Sequence, residues 1–355
     1  MKGRQALQPR RPADRAAPGT LDGVTETSIV PGGAGSAPWS RPGWWDELTG
    51  WVDERLADAG IRRRGAPTHV RSWARSALAS VETDHGRLWA KQVPAVFAHE
   101  IAVTGLLTDV DPGSVAPTFA VDVPGARMIT SHVDGPSLAD VTDAPEAWAA
   151  TLGRLGELQR VLAADRTALE TAGVTAAPID ALARSVPALL ADERLTRPGE
   201  PDGLKAGELA RLRDRAGAIA DACRELAGSG VPESLDHGDL SARQVIVGDM
   251  GPVILDWSDG SITHPFLSAA AFLDDDRAPA TGVPRRAELV DAYLGPWVGA
   301  GLISLDDGRR ALELASTVLP VHVAALYADR VLPGLGWPDD PDLTKVVPAL
   351  LRRLS

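Results

Sequence analysis

Apolar positions recur with different periods before and after about residue 132. Trp45, Leu48, Val52 and Leu56 fall at steps of three and four, the spacing of one helical face, and Gly60 follows as a stop. Residues 70–73, 78–82 and 87–93 then read as short strands, with Thr83-Asp84-His85-Gly86 turning the chain between the second and third. Pro94 stands where a helix opens, and Phe97, Ile101, Leu106 and Leu107 mark its apolar side. Two more strands are expected at Thr118–Asp122 and Arg127–Ser131.

The second half is mainly helical. Val133-Asp134-Gly135-Pro136 is a breaker cluster suited to a hinge. Trp148, Leu152, Leu155, Leu158 and Leu162 form a helical stripe, and further helices are expected near 179–193, 206–228, 284–298, 306–331 and 341–354. The clear strand signal here is a hairpin, 245–247 and 253–255, folded at Gly248-Asp249-Met250-Gly251. Residues 1–38 are rich in Pro, Gly and Arg without periodicity and read as a disordered leader. The expected organisation is that leader, a strand-rich lobe over 39–131, and a mainly helical lobe over 132–355.

Composition narrows the function classes. The net charge of −12 argues against nucleic acid as a partner and is compatible with a cationic small substrate. Cys223 is the single cysteine, so intramolecular disulfides and cysteine zinc clusters are excluded. The Arg- and Pro-rich N-terminus lacks the apolar core of a secretory signal, and no run approaches the roughly 18 apolar residues of a membrane span. A cytoplasmic protein without membrane attachment is the expectation. The chain has no asparagine, and only Lys2, Lys91, Lys205 and Lys345 among its 36 basic residues are lysine.

The hairpin gathers the candidate chemistry. Its flanking loops bring Asp239, Gln244 and Asp256 towards one point. Two carboxylates and an amide oxygen suit Mg²⁺, which takes oxygen ligands and keeps substrate phosphates as partners. Phosphoryl transfer needs a base at the attacking hydroxyl, ligands for the metal and a cation on the nucleotide phosphates. In that scheme Asp239 is the base, with Gln244 and Asp256 at the metal. Lys91 ends a strand and Glu100 lies in the following helix, so a phosphate-binding lysine held by a glutamate is expected there. The loop between the first two strands, Ala74-Arg75-Ser76-Ala77, has no glycine, and neither common phosphate-loop motif occurs. Ser76 and nearby backbone N–H groups are the phosphate contacts it can offer. His99-Glu100 lacks the second histidine of a zinc site, and no G-x-S-x-G elbow is present. Asp274-Asp275-Asp276 is either a solvated loop or an attractor for a substrate ammonium.

His237-Gly238-Asp239-Leu240 through Gln244, Leu255-Asp256-Trp257, and the Lys91 and Glu100 pair resemble the aminoglycoside phosphotransferase family, the small-molecule branch of the protein-kinase-like fold. Residues 44–133 and Ser258 to Phe266 are similar to actinobacterial members. The resemblance implies an α+β, two-lobed, protein-kinase-like fold. It has a small antiparallel sheet lobe with one helix and a larger helical lobe. It also implies ATP, with GTP not excluded, and Mg²⁺ as cofactors, and a small-molecule hydroxyl as acceptor. By resemblance, Asp239 takes the acceptor's proton, Gln244 and Asp256 hold Mg²⁺, and Lys91, fixed by Glu100, neutralises phosphate charge. The backbone from Ser131 to Val133 meets the adenine. The acceptor lies between Asp239, the helical lobe and a loop carrying Asp259 and Asp274. The family usually has Asn where this chain has Gln244, which leaves open a nucleotide-binding pseudokinase with a regulatory or scaffolding role.

Overall fold

The computed structural model describes residues 37–141, 144–276, 278 and 283–355. The expected leader therefore lies, but for its last two residues, outside the described residues.

The first part is built on helix α1 (Trp44–Asp58), strands β1 (Thr68–Ser72), β2 (Ala77–Thr83) and β3 (Gly86–Gln92), helix α2 (His99–Val110), and strands β4 (Thr118–Asp122) and β5 (Arg127–Ser131). The five strands form one antiparallel sheet in the order β1-β2-β3-β5-β4. Asp46 and Glu47 place negative charge at the N-terminal end of the α1 dipole. Its buried stripe, Trp44, Leu48, Trp51, Val52 and Leu56, packs with Ala77, Ala79, Val81, Leu88, Ala90 and Ile129 from one sheet face. Full burial of each Leu, Val or Ile side chain among them contributes roughly 1.5–3 kcal/mol. The other face carries Lys91 and Met128, paired across β3 and β5. Met128 joins the core that also holds Phe97, Ile101 and Leu107 and continues into the helical part.

That part contains α3 (Pro145–Leu162), α4 (Arg166–Thr171), α5 (Ile179–Ala191), α6 (Glu193–Thr196) and α7 (Ala206–Ala227). Strands β6 (Ser234–Asp236), β7 (Val245–Gly248), β8 (Gly251–Ile254) and β9 (Ser261–Thr263) follow, then α8 (Phe266–Leu273), α9 (Val283–Gly299) and α10 (Leu305–Leu326). A π-helical turn (Tyr327–Val331) leads to α11 (Leu332–Gly334), α12 (Pro341–Thr344) and α13 (Val346–Arg352). The chain is thus α+β, a five-stranded antiparallel sheet beside a larger helical part.

Three expectations change. β6 pairs with β9 as a second ladder beside the β7–β8 hairpin. Each strand spans three residues with one apolar side chain, too short to show a period of two. The helix expected at 341–354 divides at Lys345 into α12 and α13. The helical run Leu305–Gly334 is, by length and composition, long and apolar enough to cross a membrane, contrary to the reading of the sequence. Its Ala311, Leu312, Ala315, Val318 and Leu319 are buried in the helical core.

Candidate active site

β6 delivers the chain into His237-Gly238-Asp239. Gly238 has φ +81°, and a Cβ there would lie 2.5 Å from the carbonyl oxygen of Asp259, so both conformation and space demand glycine. His237 is fully buried, and its ring lies 4.6 Å from that of Trp257. Its Nε2 is 2.9 Å from the carbonyl oxygen of Leu255, and its Nδ1 is 3.4 Å from the Asp239 amide. Burial lowers its pKa. The neutral ring protonated at Nε2 satisfies both contacts, donating to Leu255 and accepting from Asp239. Beneath it, the Ser268 hydroxyl accepts from the His237 N–H at 2.8 Å and donates to buried Asp236 at 2.5 Å.

Asp256 caps the turn after β8 with φ +66°, a conformation uncommon for a non-glycine residue and characteristic of constrained sites. Its Oδ1 accepts from Lys91 Nζ at 2.8 Å and from Ser258 at 3.0 Å. Lys91 also donates to Glu100 at 2.6 Å. Strand β3, helix α2 and the turn after β8 therefore converge on one ammonium. Burial opposes charge on all three groups. Asp256 and Glu100 outweigh it at Lys91, whose pKa rises. Lys91 outweighs it at Asp256, whose carboxyl falls well below the usual range. At Glu100, only 1% exposed, burial prevails over Lys91 and lifts the carboxyl to about 7.

Asp239 is exposed to solvent by area, but enough protein stands near its carboxyl to displace water from around it. That loss of surrounding water, then the charge of Asp259, raises its carboxyl to about 7; Arg75 opposes the rise and Asp256 adds to it. The two acids at the heart of the site are thus driven apart, Asp239 upward and Asp256 downward. Separated pKa values of this kind mark distinct chemical roles.

Gln244 is turned elsewhere. Its Oε1 accepts from the Ser241 N–H at 3.1 Å and from the Ser241 hydroxyl, closing a cap over the short turn 242–244. Its backbone carbonyl accepts from the Leu255 N–H at 2.8 Å, one residue before Asp256. Both Asp256 contacts fall on Oδ1, and the residue is partly open to the cleft, so Asp256 with phosphate oxygens fits the sparse protein ligation Mg²⁺ accepts. Among the described residues, no group of three or more His, Cys, Asp or Glu forms a complete metal cluster.

Ser76 Oγ accepts from Trp73 Nε1 at 2.9 Å. The Ser131 N–H donates to the Pro117 carbonyl at 2.8 Å, within the sheet edge, while Val133 lies half-buried beside Gly248. Asp274 is paired with Arg286 at 3.3 Å and Arg353 at 3.2 Å. Asp275 Oδ2 accepts from the Ala242 N–H at 2.8 Å, tying the loop after Asp239 to the end of α8. Asp259 is buried and ion-paired with Arg75.

Arg75 is the residue the sequence reading passed over. It lies between β1 and β2, where the phosphate-covering loop was sought, and is 7% exposed. It pairs with Asp259, donates to Tyr327 Oη at 3.0 Å and lies 4.9 Å from the Phe97 ring. Arg330 completes the group by donating to the Asp259 and Gly260 carbonyls, each at 2.7 Å. Tyr327 and Arg330 both belong to the π-helical turn, a deformation frequent at functional sites. The sequence signal was an arginine flanked by small residues in a glycine-free loop; its partners lie up to 252 positions away.

No protein-family profile and no curated protein sequence matches the chain. Solved structures do. A GDP complex of aminoglycoside 2'-phosphotransferase-IIIa superposes with a TM-score of 0.59 at 16% identity, covering 86% of this chain and 97% of that one. Choline kinase from Cryptosporidium parvum Iowa II gives 0.58 at 11% identity, covering 88% and 90%. Macrolide 2'-phosphotransferase MphH from Brachybacterium faecium gives 0.55 at 14% identity, covering 86% and 98%. The chain has the two-part α+β, protein-kinase-like fold of these phosphotransferase and kinase structures.

Proposed function

We propose that the chain is a nucleotide-dependent phosphotransferase acting on a hydroxyl of a small molecule, with Mg²⁺-ATP as donor. The observation that carries this reading is the meeting of Lys91 with Glu100 and Asp256, with Asp239 open to the same cleft. The nucleotide is supported by the GDP complexes among the similar structures, and the acceptor class by aminoglycoside, macrolide, choline and ethanolamine enzymes.

In this reading the Asp239 carboxylate accepts the proton of the acceptor hydroxyl as its oxygen bonds to the γ-phosphorus. The bond from that phosphorus to the β,γ-bridging oxygen breaks, and ADP leaves. Lys91 neutralises phosphate charge, with Glu100 fixing its position. Asp256 would hold Mg²⁺, which supplies charge neutralisation on the phosphates. Gln244 joins it only by exchanging Ser241 for the metal. His237 holds the backbone of Asp239, and so its carboxyl, in place. Asp239→Asn should reduce ATP-dependent transfer by about 10²–10⁴-fold in a screen of aminoglycosides, amino sugars and amino alcohols, without lowering the thermal unfolding midpoint. Wild-type turnover in that variant would remove Asp239 as base.

The engagement of Gln244 by Ser241 favours a second reading, a nucleotide-binding pseudokinase. Mg²⁺-dependent stabilisation by ATP with no transfer across the same screen would select it.

A further inference from the structure

Asp236 is 1% exposed, stands immediately before His237-Gly238-Asp239, and has no part in the chemistry above. It pairs across the β6–β9 ladder with Ser261, as Ser234 pairs with Thr263. Opposed residues share a face of a ladder, and so do alternate residues of a strand. These four buried polar side chains therefore lie together. Asp236 Oδ2 is 3.8 Å from Nε2 of buried His322 on α10, and among the described residues neither atom has a hydrogen-bond partner. Burial lifts the carboxyl to about 7, opposed by the Ser268 hydroxyl, the Gly238 N–H and Arg330, while Asp259 adds to the rise. A half-satisfied carboxyl inside the fold is destabilising, so its presence beside the loop of the proposed base needs a reason.

Its other oxygen supplies one. Ser268 Oγ is approached by two donors, the His237 N–H at 2.8 Å and Gln159 Nε2 at 3.3 Å. Gln159 is held in that orientation. Its Nε2 also donates to the Leu235 and Pro265 carbonyls at 2.9 and 3.0 Å, and its Oε1 accepts from Tyr293 Oη at 2.7 Å. A hydroxyl has two lone pairs and one proton. With both lone pairs engaged, the Ser268 proton needs an acceptor, and Asp236 Oδ1 takes it at 2.5 Å. The Gly238 N–H acts on the same carboxyl. Two successive N–H groups of the turn that ends at Asp239 are thus fixed from residue 236, one through Ser268 and one directly.

We propose that Asp236 is a positioning residue for Asp239. An acceptor oxygen at 236 orients the Ser268 hydroxyl and thereby the turn that presents the Asp239 carboxyl to the cleft. What the turn requires is the oxygen, not its negative charge. The proposal rests on the phosphotransferase reading above.

ADP release from Mg²⁺-ATP across the same acceptor screen, counted per chain that binds Mg²⁺-ADP in calorimetric titration, tests it. Asp236→Ala should lower kcat about 10²-fold, the scale of an ångström of misplacement. Its ADP affinity should be unchanged, because Lys91, Glu100 and Asp256 keep their bonds. A purely structural role would instead lower the fraction of chains that bind ADP and leave kcat per binding chain in place. Asp236→Asn retains a carbonyl oxygen for Ser268 and should recover all but about threefold of the loss. Ser268→Ala, which leaves the carboxyl in place, should lower kcat about tenfold, and adding it to Asp236→Ala should lower kcat no further, since both changes cut one path. Wild-type kcat in Asp236→Ala or Ser268→Ala, an Asn variant as slow as the Ala variant, or additive losses in the double variant would overturn the assignment and leave the phosphotransferase reading standing. Wild-type protein that releases no ADP with any acceptor would overturn that reading, and the positioning role with it.

Discussion

Two cations of the sheet part, Lys91 and Arg75, meet groups of the helical part, and their junctions differ in what they leave open. At Lys91 the ammonium is shared by Glu100 and Asp256, and Asp256 remains partly exposed to the cleft. At Arg75 the guanidinium and its partner Asp259 have side chains only 8% and 6% exposed, and Tyr327 and Phe97 close the group further. The first arrangement keeps a carboxylate available for a ligand. The second holds the β1–β2 loop against the helical part, where a glycine-rich loop would instead rely on its backbone. Buried pairing and partial exposure are thus divided between neighbouring acids, Asp259 and Asp256.

Breaking the buried junction should have the largest effect. Arg75→Met removes the guanidinium paired with buried Asp259, and urea unfolding should show a loss of about 3–5 kcal/mol. Adding Asp259→Leu should recover most of that loss; a double variant as unstable as the single one would deny the pair its role. The open junction is sharpened by pH. With the Asp239 carboxyl raised to about 7, the proposed base is protonated below that point and ionised above it. Hence kcat/KM should rise about tenfold from pH 6 to pH 8. Because Arg75 lowers this pKa, Arg75→Met, in whatever fraction remains folded, should move the rise to higher pH. A profile flat across that interval in wild-type protein would contradict the assignment of Asp239. The smallest effect belongs to Gln244. Ser241→Ala removes the hydroxyl that engages Oε1, and the Mg²⁺ concentration for half-maximal activity should fall about two- to threefold, equivalent to about 0.5 kcal/mol. An increase instead would mean that Ser241 itself supports the metal side.

What could be read in the sequence follows the range of each interaction. The β2–β3 hairpin, helix α2 and the β7–β8 hairpin rest on local periodicity and turn chemistry, and they appear where expected. Lys91 and Glu100 were legible because a strand end and the next helix are close in sequence. Asp239 and Asp256 were legible because a short hairpin separates them. Arg75 was not, because Tyr327 and Asp259 approach it only through the tertiary fold. The same holds for Asp274, whose place in an acidic triplet conceals its pairing with Arg286 and Arg353. The turning of Gln244 onto Ser241 is local, but it is a choice of side-chain rotamer, and spacing carries no information about that.

The imidazole of His237 has one further consequence. Its two nitrogens contact the backbone on opposite sides, at Asp239 and at Leu255. The separation of those nitrogens is set by covalent bonds within a rigid ring, so the ring acts as a strut of fixed length. The loops of Asp239 and of Asp256 are thereby mechanically joined. A ligand that displaces Asp256 should carry Asp239 with it, so that, with the proposed roles, the spacing between proton acceptor and phosphate is held.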